Sequence, residues 1–558
     1  MNIVFRVDAS IAIGTGHVMR CRTLASTLKK HGADIQFITR AHPGHLEEML
    51  TRDGFAVTLL PPPSPAGIEG NDYAAWLGVS QQEDAEQTIP LLKNQKFDWL
   101  IVDHYGLDRV WETHLRLYAR KLMVIDDLAN RPHECDVLLD QNYAVGGDDR
   151  YRTWVPERCE LLLGPRHALL RPEYAQYRKT MAPRTGDIKR LFVFIGGADN
   201  ANITGKVLAA LSAAPLNHLE ADVVIGPSFI HKDEVTRQAS ARPNIHIHGP
   251  RPHLADLMVK ADIAIGAGGG TTWERLCMGL PSLILSIAEN QVPACEALAS
   301  SGLIRYLGDA HKLDAAAIES ALLAALAVPE KLCMLAEINQ AMVDGRGADR
   351  VAETLAPTPA ENLTLRTANS NDALTYFSWF NDPAVRVSAI HSEPIDMASH
   401  LKWFDRRLSD ADTDLYVLEA EDLPVGQVRF ERQGTEAAID YSLDALVRGR
   451  GWSTQLLKLG IETLNTSQLM VVNAYVKSKN IASVATLVHL GFVEQLAYGD
   501  GNRHFKLPLP RFSLLAQRLD SRDDRILREK NVNEQLPADF IQESTSQKIT
   551  FDAIKGTK

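Results

Sequence analysis

Cysteine is scarce, and none of it is spaced for metal or redox work. The 558 residues hold six, Cys21, Cys135, Cys159, Cys277, Cys295 and Cys333. None lies beyond position 333, and no pair has the spacing of a metal knuckle or a C-x-x-C. A disulfide framework is therefore not expected, and a reducing compartment is. No run of about 20 apolar residues is present, so neither a membrane-spanning helix nor a membrane partner is expected. The opening MNIVFRVDAS carries no basic segment followed by a long apolar run and cleavage site, so no export signal is read there. The location expected is the cytoplasm. Positive charge is also in deficit: at a net -11 the chain has no general pull toward nucleic acid or anionic membranes. A locally basic anion pocket is still allowed. The usual P-loop is missing too, because no lysine follows the glycines as GK[ST].

What is present is ordinary globular composition, 45% hydrophobic and 23% charged. The length exceeds a single hydrophobic core, so three or more domains are expected. The chain is organised around Phe5–Leu24, FRVDASIAIGTGHVMRCRTL. Val4, Phe5 and Val7 read as a short strand, followed by a glycine loop and the first turns of a helix. Gly14 and Gly16 bracket Thr15 and let a ligand approach the backbone. His17 follows beside the free N–H groups of a helix start. Arg20 lies three residues on and shares its face. A histidine so placed is a candidate general base near neutral pH; the competing reading is a histidine that only caps or packs at the junction.

Through residue 150 short apolar strands alternate with helical patterns, as in an open α/β sheet. Ile35–Ile38, Ala56–Leu59, Trp99–Val102 and Lys121–Ile125 read as strands, Gly44–Asp53 as a helix, and the prolines from Pro61 to about Gly70 as an exposed loop. Strand ends in such sheets hold ligands, which makes Asp103, His104, Asp126 and Asp127 candidates; for Asp126 a loop cap is the preferred reading. A second α/β unit begins near Leu191–Ile195, leading into Gly196-Gly197-Ala198-Asp199. Its strongest feature is GAGGGTTWERLCMGLP, residues 266–281. Gly268, Gly269, Gly270, Thr271 and Thr272 offer N–H and hydroxyl donors suited to a diphosphate. Glu274 accepts from a ribose hydroxyl or favours the positive helix end. Asn290 and Gln291 supply amides suited to sugar hydroxyls. The segment 310–353 reads as helical, and Ala356–Ala360 as a linker.

A third region starts near Leu363. Asn371-Asp372 is read as a helix cap, Leu415–Ala420 and Gly426–Glu431 as a hairpin turned at Glu421-Asp422, and Ala437–Leu443 as the next strand. Arg448-Gly449-Arg450-Gly451-Trp452-Ser453 then forms an N–H nest at a helix start, suited to a pyrophosphate. Asn480 and Ser483 introduce a further helix. Beyond about residue 510 apolar runs thin out, and 511–558 is read as a poorly ordered tail.

RVDASIAIGTGHVMRCRTLA, DHY at 103–105, IDDLANR at 125–131, DQN at 140–142, LLGPRHALLRPEY at 162–174, GGAD at 196–199 and the 266–281 run together resemble the UDP-sugar hydrolases of bacterial pseudaminic acid synthesis. The resemblance covers about residues 1–350. It implies a GT-B-like pair of Rossmann-like domains, 1–150 and 151–354. It also implies hydrolysis of UDP-2,4-diacetamido-2,4,6-trideoxy-β-L-altrose with inversion and without a required metal. The family's G-x-G-H-x-x-R histidine falls on His17, which would deprotonate water while the 268–272 loop holds the diphosphate leaving group. Asp8, Asp103, His104 and Tyr105 would bind sugar or hold His17.

Past the linker at 355–362, residues 363–510 resemble the GCN5-related N-acetyltransferases (GNAT). Arg448-x-x-Gly451-x-Ser453 follows their acetyl-CoA motif with serine in place of the last small residue, and Asn480, Ser483 and Gly491-Phe492 also fit. Leu443 and the 448–453 run would hold acetyl-CoA as a cosubstrate. Many members carry a tyrosine acid where this chain has Leu487; Tyr475 or a water is the substitute considered, and Asp440 or Glu431 the base. Trp379, Asn381, Asp382 and Trp403 resemble the enzyme that acetylates the 4-amino group before the hydrolase acts. The resulting expectation is a bifunctional enzyme with a UDP-sugar and acetyl-CoA as small-molecule partners, and other enzymes of the pathway as further ones. The alternatives are a GT-B glycosyltransferase acting on an acceptor, a hydrolase with a non-catalytic CoA-binding domain, and a nucleotide-sugar sensor.

Overall fold

The computed structural model describes residues 1–63, 73–93, 95–144, 147–464, 468–495 and 502–509. Most of the loop expected at 61–70 and the tail at 511–558 lie outside the described residues. The chain divides into two compact units, residues 1–429 with 441–456, and residues 430–440 with those from 457 onward.

The first unit opens with a seven-stranded parallel sheet. Its strands run Ala56–Leu60, Asp34–Arg40, Asn2–Val7, Phe97–Asp103, Ala119–Ile125, Val137–Asp140 and Glu160–Leu163 in spatial order. Helices cover both faces, which is why Ile3, Val4, Phe5 and Val7 are all buried in one continuous apolar run. The expected boundary at residue 150 needs correction. Glu160–Leu163 pairs with Val137–Asp140, so the first sheet takes in a strand from beyond that point.

A second parallel sheet follows, in the order Ile245–His248, Glu220–Val224, Arg190–Phe194, Ile263–Ala267, Ser282–Ser286 and Arg305–Asp309. The expected helical segment after residue 310 becomes Ala315–Leu326, Pro329–Met342 and Gly347–Leu355. The last of these returns to the first sheet. Ala348, Val351, Ala352 and Leu355 join the core built on Ile3, Phe5 and Leu24, and the Trp99 Nε1–H donates to the Leu355 carbonyl at 3.0 Å. Two Rossmann-like domains sharing a returning C-terminal helix make a GT-B-like pair.

After it, Thr364–Thr367 pairs antiparallel with Thr413–Ala420. Glu421 and Asp422, both at positive φ, turn the chain into Leu423–Gln433. The helix cap expected at Asn371-Asp372 sits two residues earlier: Asn369 and Asp372 form a reciprocal capping box. In the second unit Glu436–Ile439 pairs in parallel with Val471–Ala474, while Asn502–Pro508 runs antiparallel to Val471–Lys477. This third, mixed-sheet portion is GNAT-like. Among the described residues no helix is long and apolar enough to cross a membrane.

Candidate active sites

The first site lies where the order of the first sheet reverses. Asn2–Val7 and Phe97–Asp103 are neighbours, with Val7 opposite Asp103, and the chain leaves them toward opposite edges. Open α/β sheets bind ligands at such a switch point. Gly14, at φ +81°, turns the loop after Asn2–Val7, and its N–H donates to the Ser10 carbonyl at 2.8 Å. The helix Gly16–Lys30 then starts, with His17 as its second residue.

His17 Nδ1 lies 2.6 Å from Asp103 Oδ1. Arg20 grips the same carboxylate with two donors, Nε to Oδ2 and Nη2 to Oδ1, each at 2.7 Å. Burial by itself would raise the Asp103 carboxyl, but Arg20 and then His17 outweigh it and hold the group well below the usual carboxylate range. Asp103 is therefore ionised, and Nδ1–H of His17 is assigned as its donor. The 3.2 Å approach of Arg20 Nη2 to Nδ1 is then a contact between two donors. Nε2 is the ring nitrogen left to accept a proton. His17 keeps 11% of its side chain exposed, whereas Asp103 keeps none. Asp127 accepts from Arg20 Nη1 at 3.2 Å and from the Tyr105 hydroxyl at 2.5 Å. Tyr105 meets the His17 ring edge-on at 4.6 Å.

Asp8 and His104 need correction as substrate-binding candidates: both are buried in a separate ionic layer. Asp8 Oδ1 accepts from Arg6 Nη1 at 2.6 Å and from the Arg40 backbone N–H at 2.6 Å. Asp84 accepts from Arg6 and from Arg40 and, at 2.9 Å, from Trp111 Nε1. The His104 Nδ1 accepts from the Gly106 N–H at 2.9 Å, so its proton sits on Nε2, 3.5 Å from Asp8 Oδ2. Burial pushes His104 down to about 3, and it is neutral. Asp126 accepts from the Leu128 and Ala129 N–H groups, the loop cap preferred from sequence.

In the second parallel-sheet domain the two glycine loops follow Arg190–Phe194 and Ile263–Ala267, again at the reversal of strand order. Gly197 lies against Gly226, whose missing side chain admits it. Gly268 packs so tightly that a Cβ would stand 2.3 Å from Cys295 Sγ. Gly269 and Gly270 lead into the short helix Thr271–Cys277. The hydroxyls of Thr271 and Thr272 both accept from Arg275, at 3.1 and 3.0 Å, and the Thr272 O–H donates to the Ala267 carbonyl at 3.4 Å. Glu274 is half-buried and raised to about 7 by burial, with Oε2 without a hydrogen-bond partner. Gln291 uses its Oε1 to accept from the Ile287 N–H at 3.0 Å, while Asn290 is exposed.

In the GNAT-like portion Gly449 and Gly451 both sit at positive φ, +80° and +77°, with nothing within 4 Å of where a Cβ would stand. This leaves the approach to the backbone of Gly449 and Gly451 open, as in a nest, while the Arg450 N–H between them donates to the Val447 carbonyl at 3.4 Å. The arginine side chains of the run turn elsewhere, so that the backbone is what the run offers. Arg448 pairs with Asp382 at 2.8 Å and donates to the Leu443 carbonyl at 3.1 Å. Arg450 pairs with buried Glu353 at 2.6 Å and covers the Trp452 ring. Ser453 follows in the helix Trp452–Glu462.

In the second unit the parallel ladder ends at Ile439 opposite Ala474. Asp440 and Tyr475 are the next residues on each strand and share a face. Asp440 is exposed and Tyr475 is 42% exposed. Asn480 caps Ile481–His489 by accepting from the Ser483 N–H at 3.2 Å. Leu487 is buried in the core, so no acid stands at that position.

Three aromatic or histidine residues escaped the sequence reading. Tyr73 and Trp76 pack beside Tyr105; their i, i+3 spacing after a proline-rich loop was the available signal. His504 stacks on Tyr475 at 4.6 Å and bonds Asn473 at 2.8 Å, a pairing set by strand register that local sequence does not display. Among the described residues no group of three or more His, Cys, Asp or Glu is arranged to hold a metal ion.

Residues 362–493 match the acetyltransferase (GNAT) domain family. Over its length the chain is similar to "Uncharacterized protein MJ1062" of Methanocaldococcus jannaschii, 23% identical over 508 residues, covering 88% of this chain and 96% of that one. It is also similar to the UDP-2,4-diacetamido-2,4,6-trideoxy-beta-L-altropyranose hydrolase of Campylobacter jejuni, 26% identical over 304 residues, 54% of this chain and 97% of the relative. A crystal structure of MurG from Acinetobacter baumannii aligns with 63% of this chain and 99% of its own at 12% identity, with a TM-score of 0.45.

Proposed function

We propose that this chain is a two-activity enzyme of nucleotide-sugar metabolism. The GT-B-like pair cleaves the bond between sugar and nucleoside diphosphate, and the GNAT portion acetylates an amine from acetyl-CoA. The observation that carries the first activity is His17 held on ionised Asp103 by one nitrogen, with the other free and partly exposed at the switch point. Nε2 would take a proton from an oxygen nucleophile as that oxygen bonds to the anomeric carbon. The anomeric C–O bond breaks, and its electron pair leaves with the diphosphate. The 268–272 loop would meet that charge with fixed donors, and Glu274 Oε2 would receive a ribose hydroxyl.

The finer reading is hydrolysis of UDP-2,4-diacetamido-2,4,6-trideoxy-β-L-altrose, with water as the nucleophile. The similarity to the Campylobacter hydrolase supports it. The same histidine–aspartate pair would equally activate the hydroxyl of an acceptor. The coarser description, a nucleotide-sugar hydrolase or transferase, covers both and has the broader support.

For the second activity, the family match and the open nest at Gly449 and Gly451 fit acetyl-CoA, which supplies the acetyl group. The backbone N–H groups of 449–453 would hold its pyrophosphate. Asp440 would take the amine proton, and Tyr475 would protonate the departing thiolate. The finer reading of the amine is the 4-amino group of the UDP-sugar precursor.

Proton NMR of reactions containing that UDP-4-amino sugar, with and without acetyl-CoA, tests both. Free diacetamido sugar formed only with acetyl-CoA, and arrest of His17→Ala at the acetylated UDP-sugar, is the expected result. Sugar appearing on an added acceptor instead of free would select the transferase. An unmodified 4-amino group alongside cleavage of supplied diacetamido sugar would remove the second activity and keep the first.

A further inference from the structure

Beside His17 stands a cluster of rings that the proton chemistry does not use. Tyr105 meets His17 at 4.6 Å, Tyr73 meets Tyr105 at 5.0 Å and Trp76 at 4.8 Å, and Trp76 stacks on Tyr105 at 5.9 Å and 27°. Tyr105 is almost fully buried, with its hydroxyl committed to Asp127. Tyr73 and Trp76 are only half-buried. Their seating is built into the backbone: Gly106 has no side chain where a Cβ would stand 2.8 Å from the Tyr73 carbonyl, and that carbonyl accepts from the Trp76 N–H at 3.3 Å. The wall is thereby docked on the segment that carries Asp103 and Tyr105.

A half-exposed aromatic face next to a partly exposed histidine, arginine and carboxylate offers two surfaces at once. One buries C–H groups and methyls, and the other bonds hydroxyls and amides. A sugar ring has both kinds of edge. Uracil also stacks on rings, but whatever reacts at His17 must bring its anomeric carbon there. The group against this wall is therefore the sugar.

We propose that Tyr73 and Trp76 are the specificity-determining residues for the sugar moiety, receiving its deoxy-methyl and N-acetyl substituents, while the nucleotide is held elsewhere. This rests on the nucleotide-sugar reading of the His17 site. An apolar substituent in such a pocket is worth about 10–200-fold in selection.

Saturation-transfer NMR with UDP-N-acetylglucosamine as probe tests the wall without turnover. In wild type the sugar C–H and acetyl signals should saturate strongly. In Trp76→Ala they should fall several-fold relative to the uracil and ribose signals, and Trp76→Phe should restore them. With a substrate that turns over, KM of Trp76→Ala should rise at least 10-fold, with the inhibition constant of UDP within twofold of wild type. Sugar signals unchanged in Trp76→Ala, no saturation of the sugar in wild type, or a UDP constant that moves together with KM would each overturn the proposal. If wild type releases no UDP from any UDP-sugar but the NMR pattern holds, the cleavage reading falls and the sugar wall stands.

Discussion

Two ionic clusters sit at the ends of adjacent strands in the first sheet, and their difference separates scaffold from chemistry. Arg6 and Arg40 face Asp8 and Asp84, two cations against two carboxylates, all fully buried. Arg20 faces Asp103 and Asp127, one guanidinium against two carboxylates, with His17 at the rim. The first cluster balances by itself and has no exposed atom to offer. The second sets one guanidinium against two carboxylates and keeps one nitrogen of His17 uncommitted. On the proposed mechanism a nucleophile's proton would be received there. Similar side chains on neighbouring strands take opposite roles because one set is closed and the other is open at one nitrogen.

The sharpest way to break this comparison is inside the closed cluster. Asp84→Ala strands Arg6 and Arg40 in the core and takes the partner from Trp111, so stability should fall by about 3–5 kcal/mol. Urea unfolding followed by circular dichroism measures it, and a loss below about 1 kcal/mol would deny the cluster its structural role. The open cluster should behave in reverse. His17→Ala should cost about 10²–10⁴-fold in nucleotide-sugar cleavage and leave stability within about 1 kcal/mol of wild type, since the side chain lies at the rim. Asp103→Asn joins the two behaviours. It removes the charge that fixes the His17 tautomer and weakens the bonds to Arg20, so activity should fall about 10²-fold and stability by about 1–3 kcal/mol. Steady-state kinetics with paired urea titrations on one preparation would show whether the two losses travel together.

Much of this contrast is local enough to read from sequence. The apolar run ending in Val7, the glycine loop and His17 with Arg20 three residues on all lie within one strand–loop–helix unit, and their geometry follows from helix periodicity. The glycine loop at 268–270 and the nest at 449–451 are legible for the same reason. The roles of Asp8 and His104 were not. Asp8 is closed off by Arg6 and Arg40, and both arginines are in turn held by Asp84, far along the chain. Nothing in a strand end says which carboxylate will face inward. The seventh strand, Glu160–Leu163, was missed because a short apolar run joins whichever sheet edge it reaches. The backbone nest at 448–453 is a local feature, but the side-chain partners of Arg448 and Arg450, distant Asp382 and Glu353, are not.

The smallest expected effect sharpens the comparison in the other domain, where Glu274 is a carboxylate with Oε2 unpartnered and without a guanidinium on it. Burial raises it from 4.5 to about 7. Below pH 4.5 it is protonated in both folded and unfolded chains and costs nothing. Between 4.5 and about 7 the unfolded chain releases the proton first, so stability declines as pH rises, and above about 7 the penalty is constant. Glu274→Gln keeps the shape of the side chain and removes the penalty. The variant should therefore match wild type at pH 4.5 and exceed it at pH 8 by about 1–3 kcal/mol. If Glu274 instead bonds a ribose hydroxyl as a carboxylate, the same variant should bind UDP more weakly at pH 8 than at pH 6 relative to wild type. Urea titrations and UDP calorimetry at the two pH values separate these effects, because a residue that only favours the helix end would move the first measurement and leave the second alone.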